Sequence, residues 1–175
     1  MNRQSPNRRG AMMILVAVSF IILLVGTVFS VDVAYMHMVR AELRTATDAA
    51  ARAGSEELAR SQSPTAARAV AAAVAERNRV AGNGLTLDPG DIQVGSLQPS
   101  AGKFNFVPEV GPFTAVRVVG RRESTSADGA VSLFFARVFS TNQFEPVHAA
   151  TASANVRDVA LVLDISGSMG YYMPL

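Results

Sequence analysis

The sequence contains no cysteine and no tryptophan, a single lysine and only two histidines. Without cysteine, disulfides and thiolate metal sites are excluded. His37 and His148 stand alone, short of the several ligands a histidine zinc site needs, so both read as incidental. Charge is also scarce: charged residues make up 17% of the chain and the net charge is +2. The cations are spread along the sequence rather than clustered, so the high pI does not mark a nucleic-acid binder. There are no paired acids, no catalytic histidine constellation and no cofactor loop, so nothing supports an enzyme. No repeat of fixed period is present.

What is abundant is apolar. From Ala11 to Val31 the sequence reads AMMILVAVSFIILLVGTVFSV, 21 residues without a charge. A helix crosses the bilayer core with roughly 20 apolar residues. Arg3, Arg8 and Arg9 precede the run and Asp32 follows it. Cation excess on one flank predicts a cytoplasmic N-terminus and an extracytoplasmic remainder. A cleaved signal is the competing reading. Its apolar region spans only about 7–15 residues and ends at a small-x-small site. The run here is longer, and VDVAYMHM offers no such site, so an uncleaved anchor is expected.

Beyond Asp32 the helical period continues. Met36, Val39, Leu43, Ala46, Ala50 and Ala53 recur at steps of three and four, on one helix face. No proline or glycine lies between Gly26 and Gly54, so the helix is predicted to run unbroken out of the membrane. Its stripe tapers to alanine and suits close packing, either on the chain's own domain or, by self-association through the 36–53 face, on a second copy. Arg40, Glu42, Arg44, Asp48 and Arg52 take the remaining surface. Gly54 weakens the helix and the SQSP stretch breaks it. Ser63 as N-cap with Pro64 at the first helical position starts a second helix. This helix carries Val70, Ala73 and Val74 on one side and ends at AGNG. A helical hairpin results.

From Leu85 the pattern changes. LTL and IQVGSL read as two short strands around the turn DPGD. PSAGKFNFVPEVGP is loop-like. TAVRVVGRR is a strand with Val116 and Val118 on one face and Arg117 and Val119 on the other. VSLFFARVF is a short helix or a strand, its spacing favouring a helix. EPVHAATASANV alternates as a strand. Residues 85–156 therefore form a small α+β unit with mostly antiparallel strands.

Two stretches, together with the terminal DISGSMG motif, resemble the TadE/TadG-like pilus-assembly proteins of bacteria. One is RRGAMMILVAVSFIILLVGTVFSVDVAYMHMVRAELRTATDAAARAGSEEL: basic-Gly start, apolar span, immediate Asp, and an Asp-Ala-Ala-Ala segment. The other is LFFARVF followed by the Ala-rich HAATASA. The resemblance implies an inner-membrane protein of the tight-adherence (Flp) pilus system with its main domain in the periplasm. Pilin-like members are cut after a Gly with Glu five positions on. Here Gly10 is followed by Leu15 at that position, which fits the anchored TadG-like form better than the pilin-like TadE form.

The chain closes on VALVLDISGSMGYYMPL. The run Val159–Leu163 is apolar at every position, as in a strand covered on both faces. Asp164, Ser166 and Ser168 then alternate on one loop. Alternate side chains leaving a strand can aim at one point, and magnesium takes about six oxygens, keeping several waters. A nucleophile elbow would need Gly at 166, a phosphate loop needs Gly-Lys-Ser/Thr, and an aspartyl phosphatase would carry a second Asp at 166. The motif resembles the metal-ion-dependent adhesion site of von Willebrand factor A domains. That resemblance implies Mg2+ as cofactor, with a Thr and a further Asp from later loops that this chain does not contain. The three residues form an incomplete site, and no tight metal binding is expected. The chain reads as a fragment whose α/β adhesion domain is truncated.

The expected fold is therefore α+β: a transmembrane helix running into a helical hairpin, a mostly antiparallel domain, and the first strand of a truncated von Willebrand A domain. The expected units are a basic tail at 1–10, the span at 11–31, the extracytoplasmic domain at 32–156 and the truncated start at 157–175. The expected function is that of a single-pass membrane protein of pilus assembly or surface adhesion. Its partners would be other pilus-assembly or envelope proteins, and not nucleic acid. The alternative is a pilin-like subunit packing through its long helix.

Overall fold

The computed structural model describes residues 8–100, 102–135 and 143–154. Its first element, α1, is one helix from Arg8 to Ser61. At about 1.5 Å per residue, its 54 residues form a rod on the order of 80 Å long. The chain reverses at Gln62, which adopts a left-handed φ of 53° and donates its N–H to the Leu58 carbonyl at 2.9 Å. Ser63 then caps α2 (Pro64–Arg77), its hydroxyl accepting the Ala66 N–H at 3.3 Å. Near the end of α1, Arg60 hydrogen-bonds Glu57 at 2.5 Å and holds its carboxyl below the usual range.

Gly54 does not end the helix. A Cβ there would lie 3.2 Å from both the Ala71 Cβ and the Val116 Cγ1. The missing side chain therefore admits α2 and the sheet rather than marking a stop. The face that α2 turns to α1 is Ala67, Ala71 and Ala75, all fully buried, not the expected Val70, Ala73 and Val74. Contact at backbone distance selects the smallest side chains, so the larger valines lie off the seam.

Asn78 ends α2, and β1 (Arg79–Val80) pairs antiparallel with β2 (Asn83–Gly84). Their two-residue turn has positive φ at both Ala81 (53°) and Gly82 (89°), the backbone twist a tight hairpin requires. AGNG thus builds a hairpin rather than merely ending the helix. LTL is not a strand, and DPGD forms a 3₁₀ turn at Pro89–Asp91 leading into β3 (Ile92–Ser100). The stretch expected to be loop is a hairpin: β4 (Lys103–Pro108) pairs with β3 from Ser100↔Lys103 to Gly95↔Pro108.

The other edge of β3 pairs with β5 (Ala115–Arg121), and β5 pairs with β8 (Val147–Ser153). The main sheet is antiparallel throughout, in the order β4-β3-β5-β8. Both strands expected at 114–122 and 145–156 are present. Val131–Ser132 form β6, paired with β7 (Gln143–Phe144). So 131–132 is strand where a helix was favoured; residues 136–139 of that stretch lie outside the described residues.

Val116, Val118 and Val94 turn from the sheet toward the helices and are fully buried with Val39, Leu43, Leu58 and Leu85. From the opposite sheet face Ala149 and Thr151 are exposed. The helix stripe predicted from Val39 to Ala50 is therefore core, spent on the chain's own domain. At the ends of the stripe Met36 and Ala53 are only partly buried.

Candidate functional site

Two features define the site: an apolar helix that none of the other described residues covers, and the point where that helix meets the domain. The most apolar 18 residues of α1 have a mean hydropathy of 2.8, and none of them is buried. Ile14, Phe20, Ile22 and Leu23, spread around the helix, are all more than 60% exposed. Water is a poor solvent for such a surface, and its length matches a bilayer core.

One residue past the apolar run, the environment reverses. Asp32 is only 6% exposed. Its Oδ1 accepts the Phe134 N–H and its Oδ2 the Phe135 N–H, each at 3.0 Å. Two successive backbone donors turned onto one carboxylate satisfy the buried charge. Tyr35, one turn along, packs edge-to-face on Phe134 with centroids 4.9 Å apart. The immediate Asp after the span, noted in the sequence, is thus a latch between α1 and a segment 102 residues away.

Two turns further, the Arg40 guanidinium lies 5.0 Å over the Phe144 ring, tying β7 to α1. Beside it Arg40, Leu43, Arg44 and residues 144–148 line an open cleft of about 370 Å³. His148 borders it, partly buried, with Nε2 3.5 Å from Asp48 Oδ1; His37 is exposed. Deeper, Arg122 is 5% exposed and gives its side-chain N–H groups to three carbonyls: Val80 at 2.8 Å, Gly129 at 3.0 Å and Asp128 at 3.3 Å. Asp91, also buried, pairs with Arg121. Val80, Asp91 and Phe144 are remote in sequence from these arginines, and reading the sequence alone missed Arg122, Arg121–Asp91 and Arg40–Phe144.

Among the described residues no group of three His, Asp or Glu side chains is placed to hold a metal. Asp164, Ser166 and Ser168, the expected ligands, lie outside the described residues. The arrangement that is described positions and attaches a domain: a bare apolar rod, a charged latch at its exit and a two-layer domain packed on its extension.

Such an arrangement defines a helix-borne α+β domain on a stem long and apolar enough to span a membrane. The family model of Tad-like Flp pilus-assembly proteins matches residues 40–154, which is most of the chain and all of the sheet. The chain belongs to that family, which is not a family of enzymes. Searches of curated proteins and of solved structures return no match.

Proposed function

We propose that the chain is a single-pass membrane-anchored protein of bacterial Flp pilus assembly, with its N-terminus in the cytoplasm and residues 32–154 outside it. The observation that carries this reading is one unbroken helix joining an uncovered apolar span to the family domain. The orientation follows from Arg3, Arg8 and Arg9 on one flank of the span. The role is non-enzymatic: the domain meets other pilus-assembly or envelope proteins and the stem holds it at the membrane. The anchored form fits better than a pilin-like subunit, because Leu15 stands where pilin-like members carry a Glu five positions past the Gly.

We further read Asp164, Ser166 and Ser168 as the first loop of a magnesium-dependent adhesion site. Their donor set of one carboxylate and two hydroxyls is about half of an octahedral shell, so this chain alone binds magnesium weakly. Calorimetric titration with magnesium tests that, and a micromolar Kd overturns it.

Deleting the gene in its host should abolish surface pili, and the intact gene should restore them. In the complemented strain, a single thiol introduced as Ser124→Cys should react with a membrane-impermeant maleimide added outside the inner membrane. Unchanged piliation would refute the role; labelling only after the inner membrane is broken would refute the orientation.

A further inference from the structure

Phe134 and Phe135 are large apolar side chains that the domain leaves 63% and 40% exposed. Their place is set by the latch. Their N–H groups each lie 3.0 Å from an Asp32 oxygen, and Asp32 follows the last apolar residue of the span. One residue advances a helix by about 1.5 Å, less than the width of a phenyl ring. The exposed rings therefore stand near the depth where α1 leaves the hydrocarbon, where Phe29 and Val31 of the helix are exposed as well. Amphipathic and aromatic groups at that depth partition into the boundary between headgroups and acyl chains. The latch to Asp32 holds both rings at the end of the span, and this depth favours lipid over a protein partner.

We propose that Phe134 and Phe135 are a second, peripheral membrane contact, seated in the lipid interface beside the helix exit. The inference rests on the membrane-anchored reading above. Its consequence is mechanical: a lone helix leaves a domain free to tilt and swivel, whereas a second contact held to Asp32 fixes the domain's inclination to the membrane. Tyr35, packed against Phe134, stiffens that contact.

The absence of tryptophan makes the test direct. Single-tryptophan variants Phe20→Trp, Phe134→Trp and Phe104→Trp of the full chain are reconstituted in phosphatidylcholine vesicles with bromine at defined acyl-chain carbons. Phe20 lies within the span. Phe104 is 72% exposed near the tip of the β3–β4 hairpin, which points away from the helix exit. The expected result is quenching of Phe20→Trp by bromines near the bilayer centre. Phe134→Trp should be quenched severalfold by bromines near the headgroups, with blue-shifted emission, and Phe104→Trp should not be quenched. If Phe20→Trp is quenched while Phe134→Trp behaves like Phe104→Trp, the inference falls and the anchor stands. Blue-shifted but unquenched emission from Phe134→Trp would place the ring against protein, in this chain or a second copy, and equally overturns it. If Phe20→Trp itself escapes quenching, the anchored reading fails and this inference with it. Phe135→Trp repeats the measurement should Phe134→Trp fail to fold.

Discussion

Docking of α1 on the sheet depends on Gly120 having no side chain. A Cβ built there would lie 2.3 Å from Thr47 Oγ1, 3.0 Å from Leu43 Cδ1 and 3.3 Å from Leu85 Cδ2. Thr47 has no room to give: it is fully buried, and its hydroxyl donates to the Leu43 carbonyl at 2.7 Å. Gly120→Ala must therefore push helix and strand apart, and overpacking of this kind costs about 1–3 kcal/mol. The severity of the closest approach places the expected loss near the upper end, about 3 kcal/mol. Thr47→Ala alone removes one buried local hydrogen bond and should cost about 1 kcal/mol. In the double variant the new methyl occupies the vacated space. The nearest remaining atom is the flexible end of Leu43. The pair should then be more stable than Gly120→Ala alone, with a coupling of about 1–2 kcal/mol. Pulse proteolysis of the full chain in detergent micelles across a urea series measures all three variants. Additive losses, or a Gly120→Ala variant as stable as the parent, would refute the packing account.

Asp32→Ala leaves two N–H groups without their charged acceptor. Bonds to charged groups contribute about 1.5–3 kcal/mol each, so the amides of Phe134 and Phe135 should exchange at least tenfold faster while the Val116 and Val118 amides keep their protection. Arg122→Met keeps the volume but strands three carbonyls, so a loss of about 2–4 kcal/mol in urea stability is expected. Arg122→Lys should recover less than half of it, since an ammonium cannot reproduce the planar fork. Gln62→Gly relieves the left-handed φ of 53° and should be neutral or stabilising by up to about 1 kcal/mol in the same assay.

The long helix was legible because its signal is local and repeated: an uncharged run, then Val39, Leu43, Ala46 and Ala50 in register, with no breaker. The strands at 115–121 and 147–153 were legible for a similar reason, since alternation survives where one face is buried. The face of α2 was misread because alanine surrounds that helix, leaving only the neighbouring backbone to choose among its faces. β4 was misread because it is an edge strand: Lys103, Phe104 and Asn105 are exposed and Pro108 ends it, so neither periodicity nor composition separates it from a loop. For Asp32, position immediately after the span was visible but the partner 102 residues away was not. Arg122 likewise gives no local sign of the Val80 carbonyl, 42 residues away.

The most direct test of the account is thiol accessibility along α1 in native membranes. With no natural cysteine, each single substitution between residues 10 and 40 carries the only thiol of the protein. Positions from 12 to 31 should resist a water-soluble maleimide on every side of the helix. Met38→Cys, at an exposed position beyond Asp32, should react at once. Labelling that runs through 12–31, in whole or on one helical face, would show that this segment does not cross the bilayer.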